Sequence, residues 1–304
     1  MNPMIFIVVL NWNGYQDTIE CINSLKAITY PNYRIVLVDN DSTDGSEALL
    51  RERLPDIEFI QTGHNLGFTG GNNIGMRYAL DKGADYLVLL NNDTIVDKEF
   101  VTALATVAEA NKTAGMLCSK IYFHDRPNIL WYAGASFYPW LGWGRHRGYN
   151  ARDVGQFDVV EETERPTGCA LMVSRRLCEQ IGLLDEKYFC YCEDVDWVMR
   201  AKNAGYKIMY VPASRVWHKV SRSTGGSRSG LSLYYYVRNM FFCLDKNKPL
   251  PFLLRQARYG MVFIAAFLSL FTNDLPKTTG TMQICRGASH YLQGRSGELE
   301  VKNN

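Results

Sequence analysis

Three short polar clusters, each directly after an apolar run, hold much of the candidate chemistry in the first third of the chain: Asn11-Trp12-Asn13, Asp39-Asn40-Asp41 and Asn91-Asn92-Asp93. In such a place the Asp39 carboxylate can accept hydrogen bonds from a nucleobase or a ribose, whereas Asp41 is better explained as a helix cap. A lone acid among amides, Asp93, suits Mg²⁺ or Mn²⁺ that also takes oxygens from a diphosphate, since hard cations prefer oxygen ligands. A simple turn aspartate remains the alternative for Asp93.

A second acidic group lies late in the chain, where Glu193, Asp194 and Asp196 come together at the start of a predicted helix. Such acids can cap a helix, but a carboxylate that projects into a cleft within reach of a hydroxyl can also act as a general base. His218 follows a predicted strand and lies beside Lys219. A lone histidine is more often structural, yet histidine is also a common metal ligand.

The densest glycine segment runs from Asn65 to Gly75 and precedes a helix predicted for Asn72 to Lys82. Glycines permit positive φ and close backbone approach, and a helix N-terminus favours anions. The segment matches neither the GxGxxG dinucleotide pattern after the first strand nor a P-loop, so both standard interpretations fail.

These clusters are positioned by strands that alternate with helices. The predicted strands are Ile5 to Leu10, Tyr33 to Val38, Ile57 to Gln61 and Tyr86 to Leu90, and the helices between them are Asp17 to Lys26, Ser46 to Leu54 and Asn72 to Lys82. This alternation predicts an α/β fold with a mostly parallel sheet and helices on both faces. Ligands of such sheets bind beyond the carboxyl ends of the strands, where the three polar clusters lie.

The bulk properties exclude several classes of protein. The chain has 304 residues with a formal net charge of +2, which gives no indication of a nucleic-acid partner. Its eight cysteines form no CxxC pair, which favours free thiols over a disulfide scaffold or a zinc site. The N-terminus predicts no signal peptide. The apolar run from Gly260 to Phe271 is about a dozen residues long, and a membrane-spanning helix needs about 20.

Two regions beyond the predicted sheet have unusual compositions. Residues 122–165 form a long, apparently irregular insert rich in aromatics and arginines, among them Trp140, Trp143, Arg145 and Arg147. Sugar rings stack on aromatic faces and arginines meet phosphates, which favours acceptor binding over a satellite hydrophobic core. Residues 231–304 interleave aromatics, aliphatics and cations, as helices lying in a lipid interface do, although packing on the α/β domain or a homodimer contact would also fit.

Together these segments resemble the inverting glycosyltransferase family 2, and within it the rhamnosyltransferase-like bacterial branch. The matching stretches occur in the family's order and cover roughly residues 5 to 220: Val9 to Gly14, Val38 to Ser42, Asn65 to Gly75, Leu90 to Asp93, Gly168 to Leu171, Tyr191 to Trp197, and Trp217-His218. The resemblance implies a Rossmann-like GT-A domain over residues 1–230, with an acceptor-binding insert at 122–165. A helical segment for membrane association or dimerisation would follow at 231–304.

The resemblance also implies roles for single residues. Asp194, or else Glu193, would be the catalytic base, and Asp93 with His218 would bind Mn²⁺ or Mg²⁺. Lys219 and Arg222 would meet the diphosphate, while Trp140, Trp143 and Arg145 would bind the acceptor. The donor nucleotide would be held by Asn11, Trp12, Asp39, Asn65, Gly70, Asn73 and Asn92. One departure is Asn91, which replaces the first acid of the family's DxD-like motif and leaves fewer charged metal ligands.

The implied function is transfer of a sugar from a nucleotide-diphosphate donor to a saccharide or lipid-linked saccharide in cell-surface polysaccharide biosynthesis, with inversion. The branch favours dTDP-rhamnose as the donor and a cytoplasmic enzyme on the inner face of the cell membrane. A nucleotidyltransferase is an alternative, but it would carry a basic, glycine-rich loop where Asn11 to Gly14 stand. A catalytically inactive sugar-nucleotide-binding protein is a second alternative, disfavoured by Asp93 and the Glu193-Asp194 pair.

Overall fold

The computed structural model describes residues 2–220, 230–272 and 275–299. Within those ranges the strands are β1 Ile5–Asn11, β2 Tyr33–Asp39, β3 Glu58–Gln61, β4 Tyr86–Asn91, β5 Thr94–Val96, β6 Ala114–Phe123, β7 Leu130–Tyr132, β8 Ala135–Tyr138, β9 Trp143–His146, β10 Glu161–Glu162, β11 Ala170–Ser174 and β12 Lys207–His218. The α-helices are α1 Tyr15–Lys26, α2 Ser46–Arg53, α3 Gly67–Asp81, α4 Phe100–Ala110, α5 Arg175–Ile181, α6 Glu193–Asn203, α7 Gly230–Asn247, α8 Phe252–Ser269 and α9 Lys277–Leu292.

One large mixed sheet organises the first two thirds of the chain, in the order β10-β12-β6-β11-β4-β1-β2-β3. The pairs β3–β2, β2–β1, β1–β4 and β6–β12 are parallel, while β11 runs antiparallel between β4 and β6. Parallel strands require crossover connections, which the helices supply, and the covered faces explain the long apolar runs. The predicted α/β fold with a mostly parallel sheet is confirmed.

In-register pairing explains why the polar clusters meet. The apolar residues of β1 are almost wholly buried, and Asn11 at its end pairs with Asp39 at the end of β2. On the other side of β1, Leu10 pairs with Asn91 at the end of β4. The three clusters therefore share one edge of the sheet, as predicted.

The insert is more regular than its composition predicts. β7 pairs with β6, β8 and β9 form a separate two-stranded hairpin, and β10 pairs with β12. The prediction that residues 122–165 are irregular is therefore wrong in part. The strands of the insert form by pairing with β6, with β12 and with each other in the hairpin. The last strand, β12, continues to His218 through a register shift between Val211 and Arg215, so His218 lies at the end of the strand and not after it.

The three C-terminal helices build a second hydrophobic cluster, distinct from the one around the sheet. α7 packs on α6, α8 and α9, and the cluster includes Tyr188, Cys192 and Val195 from the segment that enters α6. The helical character predicted for the C-terminal segment is confirmed. No helix in the described part of the chain is long and apolar enough to cross a bilayer.

Candidate active site

A buried hydrogen-bond network lines the carboxyl edge of β1 and β2. Asp39 is 0% exposed and its carboxylate accepts from Asn11 Nδ2 at 2.6 Å, from Ser42 Oγ at 2.7 Å and from Gln61 Nε2 at 2.9 Å. These neutral donors satisfy the buried charge, as burial of a carboxylate demands. Trp12, by contrast, is 39% exposed. The nucleobase contact of Asp39 stays a prediction.

Asn40 joins this edge to the glycine segment, a role that the sequence did not reveal. Its buried amide donates from Nδ2 to Asn65 Oδ1 at 2.9 Å and to the carbonyl of Gly67 at 3.1 Å, and its Oδ1 accepts from the Leu66 amide at 3.0 Å. Asn65, predicted to bind the donor nucleotide, therefore helps to fix the turn that leads into the glycine-rich helix. The one sequence feature that could have indicated this role is the position of Asn40 directly after the buried strand β2.

Asn92 closes the network on the other side of β1. Its Nδ2 donates to Thr18 Oγ1 at 2.9 Å and lies 3.4 Å from Asn11 Oδ1, and Thr18 in turn donates to Asn11 Oδ1 at 2.7 Å. Asn92 is buried, at 8% exposure. Asn11 and Asn92, both predicted to bind the donor nucleotide, thus lie together, but their side chains bond Asp39, Ser42 and Thr18 of the protein itself.

The glycine segment lies inside α3, which begins at Gly67 and not at Asn72 as predicted. Gly67 has a φ of +69°, and a Cβ there would lie 2.4 Å from the Phe189 carbonyl oxygen. Gly71 and Gly75 are helical, and a Cβ on either would come within 2.5 Å of a side chain of β1. Gly71 and Gly75 therefore serve close packing of α3 on the sheet, and Gly67 serves close approach of the Phe189 loop. These constraints depend on contacts distant in sequence.

Gly70 and Asn73, both assigned to the nucleotide pocket from the resemblance, are buried within α3. Asn73 donates from Nδ2 to the Leu184 carbonyl and to Glu186 Oε1, both at 2.9 Å, and accepts from the Leu184 amide at 3.2 Å. A Cβ on Gly70 would lie 2.7 Å from Leu66 Cβ. The geometry gives Asn73 a tethering role, because its amide is saturated by protein partners.

Asp93 and His218 form a close pair at the end of the sheet. β5 and β12 pair Thr94 with His218, which leaves Asp93 Oδ1 3.1 Å from His218 Nε2. Both side chains are almost buried. Burial disfavours the imidazolium, but Cys169 and the Asp93 carboxylate outweigh burial and raise the pKa of His218. His218 Nδ1 is buried without a hydrogen-bond partner in the described residues.

Carboxylate and imidazole are ligand types that divalent cations accept, but here Asp93 and His218 contact each other directly at 3.1 Å. No group of three His, Cys, Asp or Glu residues that could hold a metal ion occurs among the described residues. The pair alone therefore does not make a complete metal site, and Asn91 stands where an acid would have added a charged ligand.

The predicted diphosphate contact of Lys219 is not supported by the geometry. Its side chain is 6% exposed, and Nζ lies 2.6 Å from both Asp17 Oδ1 and Glu20 Oε2 on α1. An ammonium paired with two carboxylates holds the end of β12 against α1 and is not offered to a ligand. The sequence showed the cation but not the two acids that lie some 200 positions away. Arg222 lies outside the described residues.

The acidic cluster opens α6, and its three carboxylates have different surroundings. Asp196 is 0% exposed and is bonded to Arg200, Tyr188 and α7, so it is structural. Glu193 is buried, its Oε2 has no hydrogen-bond partner among the described residues, and burial together with the charge of Asp194 raises its pKa to about 8. Asp194 keeps 15% side-chain exposure and lies 3.9 Å from Arg165 Nη2. Asp194 is thus the acid of the cluster that is both part-exposed and close to a cation.

Comparison with known proteins identifies the family. The model of the family named glycosyl transferase family 2 matches residues 6–182. The chain belongs to glycosyl transferase family 2. This glycosyltransferase is 26% identical over 296 residues to the dTDP-rhamnosyl transferase RfbF of Shigella flexneri, covering 90% of this chain and 92% of the relative. It is 28% identical to the N-acetylglucosaminyl-diphospho-decaprenol L-rhamnosyltransferase of Mycobacterium tuberculosis over 271 residues, covering 81% and 86% of the two chains.

Solved structures share the fold of the glycosyltransferase. The mannosyltransferase PcManGT of Pyrobaculum calidifontis, in complex with GDP-Man and Mn²⁺, matches with a TM-score of 0.61 and 15% identity over 97% of this chain and 88% of that one. GalNAc-T7 with UDP, GalNAc and Mn²⁺ matches with a TM-score of 0.62 and 18% identity over 85% of this chain and 54% of that one. The predicted GT-A fold and the rhamnosyltransferase-like resemblance are confirmed.

The β8–β9 hairpin of the glycosyltransferase presents aromatic rings to solvent. Trp140 and Trp143 are each 45% exposed, and the Trp143 ring stacks on Tyr138 with centroids 6.1 Å apart. This exposure argues against the satellite-core interpretation for the two tryptophans. Arg145 is exposed on the same hairpin, whereas Arg147 is paired with Glu161 and bonded to the protein backbone.

The C-terminal helix α8 has two unlike faces. Arg258, Val262 and Ala266 are buried against the rest of the helical cluster. The opposite face exposes large apolar side chains, namely Leu253 at 79%, Ile264 at 58% and Leu268 at 59%, and Phe271, just after the end of α8, is 62% exposed. α8 contains no acidic residue, and Lys277 lies over the Phe271 ring at 4.5 Å. This outer face of α8 is therefore apolar with a cationic margin.

Proposed function

We propose that this glycosyltransferase moves a rhamnosyl group from a nucleotide-diphosphate donor to a hydroxyl of a lipid-linked saccharide, with inversion at the anomeric carbon. The observation that carries the proposal is Asp194, a part-exposed carboxylate beside buried Glu193 in the GT-A fold. The names of the Shigella and mycobacterial relatives support rhamnose as the sugar, and the mycobacterial name supports a diphosphate-linked polyprenol acceptor.

In the mechanism that follows, Asp194 takes the proton from the acceptor hydroxyl. The acceptor oxygen then forms the bond to the anomeric carbon while the bond from that carbon to the diphosphate oxygen breaks on the opposite face. Arg165 Nη2 lies 3.9 Å from the Asp194 carboxylate and faces it with a positive charge. Burial and the charge of Asp194 raise the pKa of Glu193 to about 8, which favours its protonated form at neutral pH and makes it the weaker candidate for the base.

Asp93 and His218 are the residues that would hold Mn²⁺ or Mg²⁺. Such an ion, when bound, stabilises the negative charge that develops on the departing diphosphate. The solved relatives of this fold that were crystallised with Mn²⁺ support a divalent cation. Asp93 and His218 are two ligands among the described residues, so the donor diphosphate and water would supply the remaining oxygens, and metal binding would depend on the donor.

The acceptor side of the proposal uses the β8–β9 hairpin. Trp140, Trp143 and Tyr138 offer exposed ring faces on which sugar rings stack, and Arg145 adds a cation for a phosphate. Because the hairpin turn packs against α7 and α8 through Gly142, the acceptor surface is anchored to the C-terminal helices.

We assign the outer face of α8 to the inner surface of the cell membrane. A face with large apolar side chains, no acid and flanking cations suits an interfacial helix at an anionic bilayer. Attachment of this kind is peripheral and weakens with salt. It would keep the lipid tail of the acceptor in the bilayer while the saccharide reaches the site.

A nucleotide-sugar screen tests the donor. A ligand that binds only the folded state raises the melting temperature, so dTDP-rhamnose should do so more than UDP- or GDP-hexoses, with Mn²⁺ present. With that donor, a polyprenyl-diphosphate saccharide should gain the mass of one deoxyhexose, as measured by mass spectrometry. Stabilisation and transfer with another sugar would replace rhamnose, and hydrolysis without transfer to any acceptor would contradict the proposed reaction.

Vesicle flotation tests the membrane. The full-length chain should float with phosphatidylcholine–phosphatidylglycerol vesicles at low salt, and the double variant Ile264→Ser with Leu268→Ser should not. The control, Val154→Ser with Val159→Ser, removes equally exposed apolar side chains elsewhere and should float as wild type does. If no variant floats and the α8 variant turns a dimer into a monomer, the outer face of α8 is a subunit contact instead.

A further inference from the structure

The loop that leads into Glu193 and Asp194 has an unusual backbone. Phe189, Tyr191 and Cys192 have φ values of 63°, 64° and 68°, in the left-handed region that side chains other than glycine seldom adopt. Cys192 is the N-cap of α6 and its side chain makes no capping hydrogen bond. Residues in such conformations persist only where the surrounding structure holds them. The loop therefore depends on contacts from other elements.

A single side chain from α7 supplies several of those contacts. Asn239 is 0% exposed, and its Nδ2 donates to the carbonyl oxygens of Tyr188 at 2.9 Å, Cys190 at 2.8 Å and Tyr191 at 2.8 Å. Two N–H groups are thus shared among three carbonyls of the strained loop. The Tyr188 carbonyl also accepts from the Cys190 amide at 2.7 Å, so the loss of Asn239 would weaken the hold on the loop mainly at residues 190 and 191.

Arg238 fixes the direction of the Asn239 amide. Its Nε donates to Asn239 Oδ1 at 2.9 Å, which leaves the amide nitrogen aimed at the loop. The guanidinium, 1% exposed, also donates to Tyr234 Oη at 3.1 Å and to the Tyr188 carbonyl at 3.3 Å, and lies over the Tyr235 ring. The Arg238–Asn239 pair is therefore rigid.

The opposite side of the loop contacts the start of α3. The Phe189 carbonyl accepts from the Thr69 amide at 3.0 Å, and the ring of Phe189 fills the space that a side chain on Gly67 would need. The same ring stacks on Tyr235 of α7 with centroids 5.6 Å apart. The loop is thus held between the glycine segment on the donor side and α7 on the C-terminal side.

We propose that Asn239 is a positioning residue for the catalytic base: by holding the carbonyls of residues 188, 190 and 191, it sets where α6 begins and hence where Asp194 points. This inference rests on the proposed function of Asp194. It makes the C-terminal helices part of the catalytic apparatus, because the loop conformation is set from α7 and not from within the sheet.

The test compares Asn239→Ala, which removes all donors, with Asn239→Ser, which keeps one hydroxyl donor. The control is Leu244→Ala, a buried position on the same helix without a side-chain hydrogen bond to the loop. Transfer kinetics, melting temperature and alkylation of Cys190 and Cys192 by iodoacetamide, followed by peptide mass spectrometry, are measured for each. Alkylation reports on the loop whether or not the sugar donor has been identified.

In Asn239→Ala, kcat should fall on the order of 100-fold, as for a misplacement of about 1 Å, with the donor KM changed less than about threefold. Alkylation of the two loop cysteines should rise about tenfold or more, Asn239→Ser should lie between, and Leu244→Ala should lower only the melting temperature. Unchanged alkylation in both Asn239 variants, or a kcat loss no larger than that of Leu244→Ala, would overturn the proposal. Absence of transfer by wild type would reject the proposed function, and the alkylation result would still decide the role of Asn239 in holding the loop.

Discussion

The two proposed binding regions of this glycosyltransferase are built in opposite ways. They are the donor edge, where β1, β2 and β4 end, and the acceptor surface on the β8–β9 hairpin. At the donor edge, Asp39, Asn40 and Asn92 are buried, and each is hydrogen-bonded to other protein side chains or backbone. On the acceptor surface, Trp140 and Trp143 are about half exposed and their ring edges and faces meet solvent. The side chains of the first region already have hydrogen-bond partners within the protein, whereas the aromatic rings of the second region are exposed to solvent.

This difference has consequences for substitution. Preorganised polar groups cost little reorganisation when charge develops, but each one removed leaves buried partners unsatisfied. Donor-edge substitutions should therefore lower stability and turnover together. Exposed aromatics support little of the fold, so their removal should change acceptor binding with the melting temperature almost unchanged.

The largest expected effect is at Asp194, the proposed catalytic base. Asp194→Asn should lower kcat about 1000-fold, because an amide cannot accept the proton and general base catalysis contributes roughly 100- to 10,000-fold. Nucleotide binding, measured by thermal shift, should stay within about twofold, since the carboxylate is assigned to the acceptor hydroxyl.

Glu193→Gln is the matched control for this assignment. It removes the neighbouring carboxyl while keeping its shape, and turnover near neutral pH should stay within about tenfold of wild type because Glu193 already carries a proton there. A turnover near wild type in Asp194→Asn, with loss in Glu193→Gln, would move the base to Glu193.

A second, smaller effect is expected at the metal pair. Asp93→Ala should lower turnover about 100-fold and make the residual rate insensitive to EDTA, since the charge on the departing diphosphate would lose its stabilisation. His218→Ala should act in the same direction. Asp125→Ala, at an exposed acid paired with Arg126, serves as the control and should leave EDTA sensitivity intact. Full activity of wild type in EDTA would reject a metal role for Asp93 and His218.

The sequence predicted that the three polar clusters share one edge of the sheet, because that placement follows from local patterns. Apolar runs ending in Asn11, Asp39 and Asn91 indicate buried strands, and parallel pairing brings such ends together without further information. The acidic start of α6 was likewise visible, although which acid is ionised depends on burial that a sequence does not display.

Contacts between distant segments could not be predicted in the same way. Lys219 was assigned to the diphosphate, but its partners Asp17 and Glu20 lie on α1. No sequence motif marks Asn239, because its role depends on hydrogen bonds to three carbonyls about 50 residues earlier in the chain. The start of α3 was misplaced because glycines weaken a helix prediction, while here packing against β1 requires them.

A third prediction tests the acceptor surface alone. Trp140→Ala and Trp143→Ala should each raise the acceptor KM about three- to tenfold, as expected for the loss of one aromatic stacking contact, with the donor KM unchanged. Tyr149→Ala, an exposed aromatic of the insert outside the β8–β9 hairpin, is the control and should leave both KM values unchanged. Equal increases in both KM values with a lowered melting temperature would indicate that the two tryptophans support the fold.

The smallest expected effect is a pH-dependent stability at Glu193, a buried carboxyl with one oxygen that has no hydrogen-bond partner among the described residues. Burial and Asp194 raise the pKa of this carboxyl from 4.5 to about 8, so the folded protein keeps a proton that the unfolded chain releases between those values. The free energy of unfolding should therefore fall as the pH rises through that window. Glu193→Gln, neutral throughout, should match wild type near pH 4.5 and exceed its stability at pH 8 by on the order of 1 to 3 kcal/mol. Thermal melts across this range measure the difference, with Glu52→Gln at an exposed site as the control. A Glu193→Gln minus wild-type difference that does not grow with pH would show that Glu193 is ionised in the folded protein, and the argument for Asp194 as the sole base would lose its electrostatic support.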